Sequence, residues 1–232
     1  MQRNGYTMVE MMVVVAIVAV VMAVAIPSLQ SAIISSRARA VAESIQSGVL
    51  LARAEAIKRN AMMRFQLVSS LDNACTASSV SRLWVVTQYT GATTPGNLQG
   101  QPWGKCGIAA YLPPDQEEPC PTSPAYSGSA TACTSDPFIA FKSAGDAYSG
   151  IDVIASPAAT GVLNGFVVTF GPVGQLVASF DGTSTQAVTA GSISISPSGG
   201  ANGRRYRVTI SVNGGVKLCN PDAPATDAMA CG

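Results

Sequence analysis

Glu10 is the single charged residue between Tyr6 and Ser36, and it stands at the start of a long apolar run. A carboxylate surrounded by hydrocarbon must become neutral or find a partner. The chain itself offers no cation close to Glu10. The sequence therefore predicts a partner on another molecule; the alternative is a carboxylate at the level of the lipid headgroups.

Six cysteines form the second set of reactive side chains, and all of them follow the apolar run: Cys75, Cys106, Cys120, Cys133, Cys219 and Cys231. None belongs to a Cys-x-x-Cys pair, and their irregular spacing disfavours a zinc site. An even number of cysteines in loop-rich sequence beyond a membrane anchor is typical of disulfides in an oxidising compartment. We expect neighbouring cysteines to pair, above all Cys219 with Cys231.

Catalytic chemistry has little support in the sequence. The chain has no histidine, which excludes His-based triads and histidine metal sites. The acidic run at 115–118 (DQEE) lacks the ligand spacing of a calcium loop, and no Gly-rich phosphate loop joins a strand to a helix. The formal net charge of +1 gives no bulk attraction to nucleic acid. The sequence predicts no enzyme activity, no cofactor and no bound metal.

Residues 11–26 are an unbroken apolar run, MMVVVAIVAVVMAVAI. With Met8 and Val9 the run approaches the ~20 residues that span a bilayer. No small-x-small cleavage site follows it, so it is not a secretory signal peptide. Arg3 favours a cytoplasmic N-terminus, although Arg37 and Arg39 on the far side weaken that preference. We expect one transmembrane segment at residues 8–27.

A helical pattern continues after Pro27. Apolar residues recur at steps of three or four along one stripe: Ile34, Ala38, Val41, Ile45, Val49, Ala52 and Ala56. Charged residues fall off this stripe. One long helix of residues 6–60 is therefore predicted, with a kink or melting point at Pro27.

Residues 61–232 are predicted to form a β-rich head. Short segments rich in Val, Ile, Phe and Tyr alternate with Gly, Pro, Ser and Asn clusters, at 62–68, 83–88, 107–112, 138–141, 165–170, 192–196, 205–212 and 216–219. Asn213-Gly214 between the last two predicts a hairpin turn. Residues 90–106 and 113–136 are predicted to be loop insertions. The predicted fold class is α+β, a long N-terminal helix packed on an antiparallel sheet.

The segment Gly5-Tyr6-Thr7-Met8-Val9-Glu10, followed by the apolar run and Pro27, resembles the class III leader of type IV pilins. In that family a prepilin peptidase cuts after the glycine and methylates the new N-terminus. The resemblance implies a leader of residues 1–5 and a methylated Tyr6, where the family usually has phenylalanine. It implies assembly roles for Glu10 and Pro27, and it makes the Tyr6 amine of a neighbouring subunit the partner of Glu10.

The head resembles the GspH/FimT/FimU branch of minor pilins. Three segments carry this resemblance: 51–60 (LARAEAIKRN), 170–174 (FGPVG), and 205–211 with 214–219 (RYRVTIS and GGVKLC). The resemblance implies a minor subunit near the filament tip that helps to prime assembly, rather than the bulk of the fibre.

DNA binding is a further expectation that this branch raises. FimT members that take up DNA carry Gly-Arg-x-Arg in the final hairpin, where this chain has Gly214-Gly215-Val216-Lys217. Arg204, Arg205 and Arg207 with Lys217 would form a small basic patch. A solvated edge strand protected by charge is the alternative, and we favour it over DNA binding.

The resemblance implies a structural subunit, either a minor type IV pilin that primes or caps assembly, a minor pseudopilin of a type II secretion system, or a pilus-borne DNA-uptake receptor. An anchored binding domain that never polymerises is a more distant alternative. The expected partners of this chain are other minor and major pilins or pseudopilins, prepilin peptidase and the bacterial inner membrane. The expected location is a single pass through that membrane with the head in the periplasm, then the pilus or pseudopilus.

Overall fold

The structure is a computed structural model, and it describes residues 7–71, 76–89, 109–110, 135–136, 139–144, 149–156, 165–180, 185–186 and 190–231. Gly5, Tyr6 and the cysteines at positions 75, 106, 120 and 133 lie outside these residues. The two predicted loop insertions lie outside them as well, except for residues 135–136 of the second insertion.

A single long helix, α1, spans Met8–Arg59. Thr7 is its N-cap, since its side-chain oxygen accepts a hydrogen bond from the backbone N–H of Glu10 at 3.3 Å. This bond satisfies one of the N–H groups that the first turn leaves open. Asn60 ends the helix in the left-handed conformation, with a φ of 48°. Both ends of α1 thus have local causes in the sequence.

Thirteen strands follow α1 in the described residues. They are β1 (Met62–Val68), β2 (Leu83–Tyr89), β3 (Ala109–Ala110), β4 (Ser135–Asp136), β5 (Ile139–Lys142), β6 (Ile151–Ser156), β7 (Val167–Phe170), β8 (Leu176–Val177), β9 (Ser179–Phe180), β10 (Thr185–Gln186), β11 (Gly191–Pro197), β12 (Tyr206–Ile210) and β13 (Val216–Cys219). One helix followed by strands confirms the predicted α+β class.

The strands form two larger antiparallel sheets. One has five strands in the order β5-β2-β1-β7-β8, and the other has four in the order β13-β12-β11-β6. Two further pairs of two-residue strands are present. β9 pairs with β10 in the antiparallel direction, and β3 pairs with β4 in the parallel direction. The predicted hairpin is present, with β12 and β13 paired through Ile210 and Val216 on either side of the turn. The single sheet of the sequence prediction is therefore two sheets among the described residues, and neither closes into a barrel.

Both sheets pack on the second half of α1. The predicted apolar stripe faces them, and its members from Ala38 to Ala56 are at most 4% exposed, while Ile34 at its start is partly buried. The five-stranded sheet contributes Phe65 and Phe170 to this core, and the four-stranded sheet contributes Ile193, Ile195, Val208 and Ile210. The stripe therefore places the head along the second half of the helix.

β6 is a strand that the sequence analysis did not predict. Its residues alternate between buried Ile151, Val153 and Ala155 and exposed Asp152, Ile154 and Ser156. This alternation of burial has the period of a half-buried strand. The residue types show the alternation only in part, because the apolar Ile154 stands at an exposed position. β6 pairs with β11 and forms one edge of the four-stranded sheet.

Candidate assembly interface

The first half of α1 carries apolar side chains on all sides. Among residues 8–26, the large apolar side chains that the structure describes are between 45% exposed, for Val18, and 87% exposed, for Met8. Surface of this kind marks a contact with a membrane or with another protein. Glu10 is exposed in the first turn of this half, three residues after Thr7. The spacing Thr-x-x-Glu is that of a capping box, of which the Thr7 hydrogen bond is present.

Pro27 lies inside α1, since the helix runs from Met8 to Arg59 through that position. The helix therefore does not end at Pro27. The first fully buried side chain in the second half of α1 is that of Ala38, about three turns after Pro27. By length and hydropathy, no helix among the described residues qualifies to cross a membrane.

The second half of α1 is joined to both sheets at one point. Arg53 Nε donates a hydrogen bond to the backbone carbonyl of Gly174, 3.0 Å away, in the turn after β7. Gly214, in the β12–β13 turn, has a φ of 81°, and a Cβ there would collide with that same carbonyl. Backbone conformation and space both require glycine at this position. Arg53, Gly174 and Gly214 come one each from the three segments that resemble GspH/FimT/FimU, so the fold brings those segments together.

Glu55 is a buried carboxylate near the end of α1, with a side chain 9% exposed. Arg59 Nε donates to its Oε2 at 2.5 Å, and Lys58 Nζ donates to its Oε1 at 3.2 Å. Burial raises the pKa of Glu55, but the hydrogen bonds and charges of Arg59 and Lys58 outweigh burial and leave the pKa below its ordinary value. The charged form of Glu55 therefore stabilises the folded end of α1.

Stability is expected to depend on pH through Glu55. Its folded pKa lies below the ordinary 4.5, so the unfolded chain takes up the proton first as the pH falls. The stabilisation is complete well above pH 4.5 and is lost as the pH falls through the lowered folded pKa. We expect Glu55→Gln to lower the free energy of unfolding by about 1–2 kcal/mol at neutral pH, and to have less effect in acid.

Thermal unfolding of the detergent-solubilised chain, followed by circular dichroism on both sides of pH 4.5, measures this difference. Glu43→Gln is the matched control, because Glu43 is half exposed and pairs with exposed Arg39 on the same helix. Such surface pairs contribute little. An equal loss of Tm on acidification in wild type and Glu55→Gln would contradict the assignment.

Two of the four predicted DNA-binding cations have acceptors within the chain. Arg205 precedes β12 and forms two hydrogen bonds with the carboxylate of Asp222, with Nε 2.8 Å from Oδ2. This hydrogen bonding raises the pKa of Arg205 and lowers that of Asp222. Lys217 Nζ donates to the carbonyl of Ala230 at 3.0 Å. Both cations are thereby less available to a phosphate.

The other two cations differ in exposure. Arg204 is exposed, and its backbone N–H donates to Ser35 Oγ on α1 at 3.1 Å. Arg207 is half-buried on β12, and its Nε is buried without a hydrogen bond among the described residues. The sequence analysis predicted a strand at 205–212, with Arg205 and Arg207 both in it. In the structure β12 begins at Tyr206, so Arg205 lies outside the strand.

The predicted disulfide between Cys219 and Cys231 is present, with the two Cα atoms 4.9 Å apart. Cys219 ends β13 and is fully buried. The loop that the disulfide closes contains Asp222 and Ala230, the acceptors for Arg205 and Lys217. The disulfide therefore holds this loop against β12 and β13.

Comparison with known proteins identifies the N-terminal segment. Residues 1–26 match the family model described as the prokaryotic N-terminal methylation motif. This N-terminal segment is type IV pilin-like. The match covers Gly5, Tyr6, Glu10 and the apolar run, on which the sequence prediction depended. No curated protein sequence matches the chain.

Solved structures similar to this chain include a minor pilin and a minor pseudopilin. The type IV minor pilin FimU of Pseudomonas aeruginosa is 15% identical with a TM-score of 0.40, over 82% of this chain and 90% of that one. A second crystal structure of FimU has a TM-score of 0.39. The minor pseudopilin EpsH from the type 2 secretion system of Vibrio cholerae is 14% identical with a TM-score of 0.40, over 81% of this chain and 99% of that one.

Glu10 and Pro27 lie on one helix, with Glu10 in its first turn. The sequence analysis did not single out Arg53 or Gly174, although both lie in segments that carried the resemblance. Within the described residues, His, Cys, Asp and Glu side chains nowhere gather in groups of three or more that could hold a metal ion.

Proposed function

We propose that this chain is a minor pilin or minor pseudopilin, a structural subunit that joins a helical filament through α1 and primes or caps assembly near the tip. One observation carries this proposal. An N-terminal methylation motif leads directly into a helix whose first half is exposed and apolar, and whose second half holds the head. In this proposal the chain contacts other pilins or pseudopilins and has a structural role.

Processing precedes assembly in this proposal. Prepilin peptidase cuts after Gly5 and methylates Tyr6. Until then residues 8–27 hold the chain in the inner membrane as a single pass, with residues 61–232 in the periplasm. The apolar run, Arg3 before it and the disulfide Cys219–Cys231 beyond it support this arrangement.

Glu10 selects the axial position of the subunit. In an apolar bundle its carboxylate has no water, and Coulomb attraction to a cation is far stronger there than in solution. The amine of Tyr6 on a neighbouring subunit supplies that cation after cleavage. Because Thr7 caps the helix at Glu10, the first turn of α1 presents the Glu10 carboxylate from an ordered backbone. A shift along the axis would leave the carboxylate unpaired, which disfavours the wrong register.

A pilus and a type II secretion pseudopilus differ in the proteins that surround this subunit. Co-purification of major pilin or of secretion pseudopilins with the chain distinguishes them. The DNA-receptor alternative is the weaker one, because Arg205 and Lys217 are engaged with Asp222 and Ala230.

Replacing the leader glycine tests the proposal. We expect Gly5→Ala to abolish cleavage, because the resemblance implies a peptidase that recognises glycine at this position. Wild-type protein isolated from membranes should begin at methylated Tyr6, and Gly5→Ala protein should begin at Met1. Intact-mass and N-terminal peptide mass spectrometry measures both.

Asn4→Ala is the matched control, since it changes the leader beside the cleaved bond and should leave processing intact. An unprocessed Met1 in wild-type chain that has entered filaments would overturn the proposal.

A further inference from the structure

A cleft of about 500 Å³ lies on the head between residues 78–83, which lead into β2, and the strand β6. A volume of this size is typical of a small-molecule site. The charged side chains among its lining residues are one cation, Arg82, and one anion, Asp152. Its hydroxyl groups belong to Ser69, Ser78 and Ser81. The lining is therefore rich in hydrogen-bonding groups and carries no net charge.

Two of these hydroxyl groups are hydrogen-bond donors for a ligand. Ser78 Oγ accepts the backbone N–H of Val80 at 3.2 Å, and Ser81 Oγ accepts that of Leu83 at 3.1 Å. A hydroxyl group that accepts still has its own O–H to donate, and that hydrogen rotates to suit a partner. In the part of the chain that the structure describes, neither O–H has an acceptor.

Asp152 supplies the acceptor. Its side chain is exposed, and its Oδ1 accepts a hydrogen bond from Ser198 Oγ at 2.5 Å. Oδ2 has no donor among the described residues, although an ionised carboxylate accepts at both oxygens. Because the bond to Ser198 holds the carboxylate in place, Oδ2 is a positioned acceptor for a ligand hydroxyl.

The same cleft has an apolar rim. Val80 and Ile154 line it and are 68% and 59% exposed. Ile154 lies on the solvent side of β6, where its neighbours in the alternation, Asp152 and Ser156, are polar. A ligand that covers these two side chains removes apolar surface from water, which favours binding.

We propose that this cleft binds a neutral carbohydrate. Each hydroxyl of a sugar both donates and accepts, which matches the donors of Ser78 and Ser81 and the acceptor Oδ2 of Asp152. The C–H groups on one face of a pyranose ring pack on Val80 and Ile154. An anionic ligand is disfavoured, because Asp152 would repel it. The site uses side chains alone, and it is separate from filament assembly.

A panel of immobilised oligosaccharides tests the site, with neutral members and their sialylated counterparts. The full chain is applied in a zwitterionic detergent, because a detergent with a sugar headgroup would compete for the cleft. We expect a neutral oligosaccharide to bind and its sialylated counterpart, which adds a carboxylate, to bind at least about fivefold more weakly. Fluorescence anisotropy with the labelled oligosaccharide measures Kd.

Asp152→Asn should weaken this binding about tenfold, because a hydrogen bond to a charged group is lost. The amide oxygen can still accept from Ser198, and the NH₂ group then takes the place of the acceptor Oδ2. Asp227→Asn is the matched control. Asp227 is also exposed, and its Oδ1 accepts one hydrogen bond, from the N–H of Met229. It should bind within about twofold of wild type.

Ile154→Arg gives a second test, since a larger, charged side chain at the rim should block the cleft and weaken binding at least about tenfold. Val173→Arg adds the same side chain at another exposed apolar position, 77% exposed, and should leave binding unchanged. The proposal is overturned if no neutral oligosaccharide binds above empty micelles, or if the sialylated forms bind as tightly. Wild-type binding by Asp152→Asn or by Ile154→Arg, or an equal loss in their controls, also overturns it.

Discussion

Glu10→Gln is expected to reach the membrane in wild-type amounts and to enter filaments at less than a tenth of the wild-type level. Glutamine has nearly the same size and can still serve in a Thr-x-x-Gln capping box with Thr7, so the change removes the charge and leaves the helix start. Removing one partner of a buried charge pair costs about 2–5 kcal/mol, and about 1.4 kcal/mol corresponds to a factor of ten.

Quantitative immunoblots of sheared filaments and of membranes from the same cells measure this incorporation. Glu43→Gln serves as the control on the same helix, because its partner Arg39 is 63% exposed and the pair lies in water. Normal incorporation of Glu10→Gln would show that the carboxylate does not pair with a neighbouring subunit. It would leave Glu10 as a residue of the helix cap.

Removing the Cys219–Cys231 disulfide is expected to have the largest effect on stability. The two cysteines are 12 residues apart, and closing a loop of this size stabilises a fold by about 3 kcal/mol in the chain-entropy model. Cys219→Ser with Cys231→Ser should lower the free energy of unfolding by about that amount, because Cys219 is also fully buried at the end of β13. Urea unfolding of the detergent-solubilised chain provides the measurement.

Asp222→Asn is the control in the same loop. It removes the charge that pairs with Arg205, but this pair is exposed and screened by water, so the effect should be small. A disulfide-free variant as stable as wild type would mean that the loop is held to β12 and β13 by its other contacts. Lys217 to Ala230 would then be the first contact to examine.

Local sequence signals predicted the elements that depend on neighbouring residues. α1 spans Met8–Arg59, within the predicted residues 6–60, and the predicted stripe is the face that the head buries. β1 has the predicted bounds, Met62–Val68, and the Asn213-Gly214 turn joins β12 to β13. Helical periodicity and turn conformation are short-range properties, so a single sequence is sufficient for them.

β1 shows where the local pattern stops being informative. Its residues alternate between apolar Met63, Phe65 and Leu67 and polar Arg64 and Gln66, which is typical of a strand with one face in water. The structure buries both faces, and Arg64 and Gln66 have no exposed surface. Burial of the second face depends on what packs over the sheet, which the strand's own sequence does not encode.

By itself, the sequence determined the long helix, the lone carboxylate at its start and the resemblance that explains both, because these features are written in consecutive residues. It also indicated the Cys219–Cys231 disulfide, whose partners are close along the chain. Only the tertiary structure decided that Arg53, Gly174 and Gly214 meet and that β6 forms one edge of the four-stranded sheet. These depend on contacts between residues far apart in the chain, such as the 121-residue separation of Arg53 and Gly174, and such contacts are set by packing of the two sheets on α1.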